Sequence, residues 1–124
     1  MKINKNNITY YYASKTTFTT SSWSQGSGGF SWTVPVSGWY FLRAEFTKNA
    51  NSNELQNEFR PTIIAKNQGL LASETYYRFN SMTLADISTI VHLNKDDILY
   101  PNVHINEAGL LFDTSLYVVR LQED

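Results

Sequence analysis

The chain has 124 residues, a formal net charge of −1 and no cysteine. This length corresponds to one domain that can bury most of its apolar surface without disulfides or structural metals. The lack of cysteine excludes a disulfide framework, a thiolate nucleophile and a cysteine-bearing zinc site. Scattered, nearly balanced charges argue against a nucleic-acid partner. The apolar runs are shorter than the roughly 20 residues that cross a bilayer, so no membrane insertion is expected.

Residues 1–7 are polar and predict a flexible N-terminal segment, followed by a single domain over 8–124. Residues 1–12 contain no apolar signal segment, so the chain is expected either to be made in the cytoplasm or to have lost a signal before residue 1, and Met1 favours the first. Tyr, Phe, Thr, Ile and Val alternate with polar residues through most of the domain, as in half-buried strands. The predicted strands, in chain order, are 8–13, 16–20, 29–34, 38–47, 60–66, 70–79, 81–93, 97–104 and 112–122.

The strand predicted at 38–47 has two different faces. One face is entirely apolar and predicts a core-facing row: Tyr40, Leu42, Ala44 and Phe46. The other face is apolar at its start and charged at its end: Trp39, Phe41, Arg43 and Glu45. Such a strand needs a covering surface over part of its second face, supplied either by the same chain or by another copy of it.

Two further segments define the fold class. Residues 81–93 contain apolar positions that would also suit a helix, but Thr, Ser, Ile and Val occur together there and favour a strand. Asn67-Gln68-Gly69 predicts a hairpin in which Gly69 adopts a positive φ. Many short strands without an amphipathic helix predict an all-β jelly-roll sandwich.

Few residues could support catalysis. Asp86, Ser88 and His92 fall on one alternating row, but alternate residues of a strand lie roughly 7 Å apart, too far for a nucleophile, base and orienting acid to meet. A solvated or interfacial polar row is therefore favoured. His104 could pair with Glu107 near a loop. No catalytic residue and no enzymatic activity are predicted.

Asp96 and Asp97 are the best candidates for a calcium site. Two adjacent carboxylates supply far fewer than the 6–8 oxygens that calcium takes, so an ordinary acidic turn is favoured. No metal site and no cofactor are predicted.

Several short motifs resemble the tumour-necrosis-factor-like jelly roll, and more closely the globular head of the complement collagen-like proteins. The resemblance covers residues 8 to 122. Pro35, Gly38, Tyr40 and Phe41 match the family's "P..G.Y.F" strand, and Lys66-Asn67-Gln68-Gly69 approximates its "NG"-like hairpin. Leu93, Asp96 and Ile98 match its "L..GD.V" turn, with Lys95 in place of glycine. The closing strand lacks the family's usual Phe-Ser-Gly.

The resemblance implies a homotrimer, because members of this superfamily pack aromatic and aliphatic residues of one sheet around a threefold axis. The open alternative is a monomer that covers these residues with its own loops. The candidate interface residues are Tyr10, Tyr12, Trp39, Phe41, Leu116, Tyr117, Val118 and Val119.

Heads of this type serve as animal ligands or as knobs on viruses and bacterial spores. The absence of a signal segment and of a Gly-X-Y stalk argues against a secreted animal ligand. A composition rich in Asn, Ser, Thr and Tyr favours a bacteriophage. We therefore expect a non-enzymatic virion protein: a head-fibre, decoration or fibre-tip module docked on a capsid or fibre-stalk protein. The alternatives are a receptor-binding tip for a host surface glycan and a bacterial carbohydrate-binding or accessory domain.

A saccharide surface would need an exposed aromatic ring beside amide groups. Trp23, in the loop before the glycine cluster, is one candidate. The second is the Asn-rich loop 48–58, with Asn51 and Asn53, together with Tyr76 and Tyr77. The alternative is that Trp23 fills the edge of the sandwich and that the Asn-rich loop is merely solvated.

Overall fold

The computed structural model describes residues 9–19, 31–53, 59–73, 84–105 and 109–123, the first of these ranges by its backbone. All regular elements in these ranges are strands, so the described part of the chain has no helix that could span a membrane. The strands are β1 (Thr9–Thr19), β2 (Trp32–Thr33), β3 (Gly38–Lys48), β4 (Arg60–Ala65), β5 (Gly69–Ser73), β6 (Leu84–Leu93), β7 (Ile98–His104) and β8 (Leu111–Glu123).

The strands form two four-stranded antiparallel sheets with the orders β1-β8-β3-β6 and β2-β7-β4-β5. Successive strands alternate between the sheets, except that β4 and β5 form a hairpin. The first strand pairs with the last, and Thr9 lies opposite Arg120. The predicted all-β jelly-roll sandwich is confirmed.

The core lies between the two sheets. The predicted inward row of β3 is confirmed, because Tyr40, Leu42, Ala44 and Phe46 are each 0% exposed. The register between β3 and β8 places Leu42 opposite Val118 and Ala44 opposite Leu116, so these β8 residues also face inward. The second sheet contributes Ile63, Ala65, Leu99 and Val103 to the same core.

The predicted strands agree with the structure in position more than in length. The segments 8–13 and 16–20 form one strand, β1, whose pairing with β8 shifts between Ala13 and Thr16. Of the strand predicted at 29–34, residues 29 and 30 lie outside the described residues, and Trp32–Thr33 forms β2. The segment predicted at 81–93 is a strand over Leu84–Leu93, as expected.

Two prolines lie in the middle strands of the second sheet. A proline has no backbone N–H to donate and is rare where a strand is paired on both sides. Pro61 lies one residue before the segment of β4 that pairs with β5, and Pro101 lies beyond the segment of β7 that pairs with β2.

Short turns gather at the end of the sandwich where β3 begins. Gly69 has φ +91° in the β4–β5 hairpin, which confirms the predicted role of this glycine. In the β6–β7 turn the residue with positive φ is Asp96, at +73°. The sequence comparison placed the family's glycine at Lys95. The positive φ, which glycine adopts most readily, lies one residue later, at Asp96.

Candidate functional site

The outer face of the β1-β8-β3-β6 sheet, which points away from the second sheet, carries a row of apolar side chains. Phe41 on β3 lies between Val119 on β8 and Ile90 on β6, and Tyr10 of β1 is paired with Val119. Ile90 is 50% exposed and Trp39 is 36% exposed, while Phe41 and Val119 are half-buried. We call Trp39, Phe41, Ile90 and Val119 the apolar patch.

The next positions on the same face carry a charged network, which we define as Arg43, Glu45, Asp86 and Tyr117. Arg43 Nη1 lies 2.8 Å from Glu45 Oε1. Its Nε and Nη2 donate to Asp86 Oδ2 at 3.2 and 3.0 Å. The guanidinium carbon lies 5.6 Å from the centroid of the Tyr117 ring. The hydrogen bond to Asp86 and the charge of Glu45 raise the pKa of Arg43, so the guanidinium remains charged.

The cross-strand register brings this network together. Arg43 and Glu45 are alternate residues of β3, and Asp86 on β6 is paired with Glu45, diagonal to Arg43. Tyr117 on β8 is paired with Arg43 from the other side. The sequence analysis missed the network because the alignment of β3 with β6 is not visible from either strand alone. The Arg-x-Glu spacing on one strand face was the only available signal.

The structure narrows the predicted interface. Trp39, Phe41, Tyr117 and Val119 lie on the outer face. Tyr10 and Tyr12 are paired with Val119 and Tyr117. The inclusion of Leu116 and Val118 was wrong, because these side chains are 0% and 1% exposed in the core and cannot contact a neighbouring copy. The apolar residues of β8 therefore alternate: Leu116 and Val118 face the core, whereas Tyr117 and Val119 face the surface.

Part of the predicted ligand surface is described. Asn51 and Asn53 are exposed, just beyond the end of β3. The turn is fixed to β8, because Asn49 Nδ2 donates to Asp113 Oδ1 at 3.0 Å. Asn51 N in turn donates to Asn49 Oδ1 at 2.9 Å. Trp23, Tyr76 and Tyr77 lie outside the described residues, as does the predicted flexible segment 1–7.

The side chains considered for catalysis have separate partners. Asp86 is engaged by Arg43, whereas His92 packs edge-on against Trp39 with ring centroids 5.5 Å apart. Ser88 and His92 are four residues apart on one strand, about 13 Å at the usual rise. His104 lies on β7 opposite Arg60, and its suggested partner Glu107 lies outside the described residues. The described geometry does not assemble a Ser/His/Asp set.

Asp97 has a structural role in the described turns. It is buried, and its Oδ2 accepts hydrogen bonds from Asn94 N at 2.9 Å and from the side chain of Gln68. Its neighbour Asp96 is exposed. Across the described ranges, no group of three or more His, Asp or Glu side chains could hold a metal ion.

The open edge of the sandwich between β5 and β6 forms a cleft of about 610 Å³. Leu71, Ala72 and Ser73 line one side, and the residues from Asp86 to Thr89 line the other. Leu70, the next residue of β5, is 61% exposed. This edge is a second surface beside the outer face, on which Leu70 is exposed and Leu71 and Ala72 are half-buried.

No protein-family model and no curated protein matches the sequence. Among solved structures, the chain is similar to that of Eiger TNF from S. frugiperda, with a TM-score of 0.60 and 10% sequence identity. The match covers 94% of this chain and 93% of that chain. The chain has a tumour-necrosis-factor-like fold. The resemblance inferred from short motifs is thereby confirmed at the level of the TNF-like jelly roll.

Proposed function

We propose that this chain is a non-enzymatic TNF-like head that assembles as a homotrimer through the outer face of its β1-β8-β3-β6 sheet. The apolar patch is the observation that carries the proposal. Trp39, Phe41, Ile90 and Val119 adjoin one another across three neighbouring strands, and two of them are at least 36% exposed. Contiguous apolar surface of this kind marks an interaction site.

A closed ring requires two different complementary surfaces on each copy, because each copy contacts one neighbour through one surface and the other neighbour through the second. The apolar patch is one such surface. The β5–β6 edge is the other, since it carries the exposed Leu70 and the cleft beside β6. Permanent interfaces of this class bury about 2,000 Å² or more in total. The apolar patch and the β5–β6 edge together offer more surface area for such an interface than the apolar patch alone.

The mass of the purified chain in solution, measured by light scattering, tests the assembly. We expect a trimer at micromolar concentration. Val119→Asp places a charge within the apolar patch and should give monomers or aggregates. Thr33→Asp places the same charge at an exposed position of the second sheet and should leave the trimer intact. A stable monomer of the unmodified chain would reject the proposal.

We further propose that the trimer is a virion structural protein, a head-fibre, decoration or fibre-tip module docked on a capsid or fibre-stalk protein. The composition, rich in Asn, Ser, Thr and Tyr and only 17% charged, supports this role. Immunogold electron microscopy of particles from the source culture should place label on virions. Label confined to cell debris would reject the virion role and leave the trimer proposal standing.

One observation favours receptor binding as a second candidate function. Asn51 and Asn53 are exposed on a turn that Asn49 and Asp113 hold in place, so their amides are presented from a fixed support. Such amides can bind the hydroxyls of a host surface glycan. Asn51→Ala should then reduce adsorption to cells without changing the trimer. Normal adsorption of this variant would leave a decoration role.

A further inference from the structure

The charged network lies beside the apolar patch on the same face. We propose that this network is the specificity element of the assembly, which fixes how far along the sheet neighbouring copies meet and limits the assembly to one stoichiometry. This inference rests on the proposed trimer. The proposed role of Arg43, Glu45 and Asp86 is to select one arrangement of the copies, not to increase the affinity between them.

Arg43 has a single orientation because it is held on three sides. Its Nη1 is paired with Glu45 at 2.8 Å, and its Nε and Nη2 both bind Asp86. The ring of Tyr117 lies 5.6 Å from the guanidinium carbon and blocks movement toward β8. A guanidinium with this many directed partners presents a fixed pattern of charge to whatever packs on the face.

The apolar patch cannot define a register by itself. A neighbouring surface that slides along β3 by two residues, about 7 Å, still covers one of the two patch positions on that strand and keeps part of its apolar contact. The same slide would press apolar side chains onto the charged network and bury its carboxylates without added partners. Burial of charges is unfavourable unless they are paired, so the network rejects the shifted arrangement.

The charge of the network also disfavours a two-fold dimer in which two outer faces meet. One guanidinium and two carboxylates leave a net negative charge on each copy. The Asp86 side chain is 51% exposed, so a dry contact over this face would desolvate it. Like charges brought together in a dry contact oppose association, which leaves packing of the face against a different surface as the favoured arrangement.

Native mass spectrometry of an apolar variant tests this role. The triple change Arg43→Leu, Glu45→Leu and Asp86→Leu should still associate, but as a mixture of dimers, trimers and larger species, whereas the unmodified chain gives trimers. Thr47→Val adds apolar surface to the same strand outside the network and should remain uniformly trimeric. A uniform trimer of the triple variant would overturn the specificity role.

A second variant covers the case in which the triple variant fails to fold. Glu45→Gln with Asp86→Asn keeps the shape of both side chains but leaves the guanidinium of Arg43 without a counter-charge. Native mass spectrometry of this variant should show dimers and larger species beside the trimer. A uniformly trimeric variant would overturn the inference. A monomeric unmodified chain would instead overturn the proposed trimer, so the two failures are distinguishable.

Discussion

Asp97 shows how one side chain can organise an end of the sandwich. Its carboxylate binds Asn94 within its own turn and Gln68 of the β4–β5 hairpin. Its backbone oxygen accepts from Val34 N at 2.8 Å, at the start of the β2–β3 connection. A single buried residue therefore links three turns that come from both sheets.

Replacement of Asp97 by Ala should destabilise the chain. The change removes the buried carboxylate that accepts the part-buried hydrogen bonds from Asn94 N and the Gln68 amide, at a cost of about 1–3 kcal/mol in the free energy of unfolding. Gln68→Ala removes only one donor at an exposed residue and should cost less. Urea titration followed by tryptophan fluorescence measures both. Equal effects of the two variants would contradict the central role of Asp97.

Asp96 allows a test of backbone strain in the same turn. Its φ of +73° lies in the left-handed region, which costs β-branched residues about 1–2 kcal/mol. Asp96→Val should therefore lower the free energy of unfolding by about that amount. Asp96→Gly should be neutral or stabilising, because glycine adopts this region freely. If the valine and glycine variants melt at the same temperature, the assigned turn geometry is wrong.

At the scale of the strand, β3 separates core from surface by simple alternation. Its even-numbered residues from Tyr40 to Phe46 are fully buried, while its odd-numbered residues from Trp39 to Glu45 form the apolar patch and the charged network. β8 alternates in the same way, with Leu116 inward and Tyr117 outward. One pair of central strands thus supplies both the core and the candidate interface.

The register of β3 has a direct stability test. Leu42→Ala removes a fully buried side chain and should cost about 2–5 kcal/mol through lost burial and the cavity left behind. Asn53→Ala, at an exposed position after the same strand, should cost about 0.5 kcal/mol or less. Thermal unfolding of both variants, followed by circular dichroism near 218 nm, is the measurement. Similar losses at the two positions would contradict the assignment of Leu42 to the core.

The alternation of residues along the strands predicted much of the fold, because a strand that is buried on one face alternates apolar with polar residues. The core row of β3, the hairpin at Gly69 and the strand character of residues 84–93 all follow from local composition. Cross-strand register does not, since it depends on residues far apart in the chain. For this reason the pairing of Arg43 with Asp86 and the inward position of Val118 were not predicted.

At the scale of the whole molecule, association should couple to stability. A trimer unfolds to three chains, so mass action makes its unfolding midpoint rise with protein concentration. We expect the melting temperature of the unmodified chain to increase as the protein concentration rises from about 1 to about 100 micromolar. Val119→Asp should remove this dependence. A melting temperature that is independent of concentration in the unmodified chain would indicate a monomer.

The pairing of the first strand with the last also bears on protein engineering. Thr9 lies opposite Arg120, so the start of β1 and the end of β8 leave the sandwich side by side at the end with the short turns. A linker of a few residues could join them as a hairpin, and a new opening at the exposed Asn67 turn would give a circularly permuted chain with the same two sheets. A protein fused to such a chain would emerge from the β4–β5 hairpin, in the sheet opposite the one that carries the apolar patch.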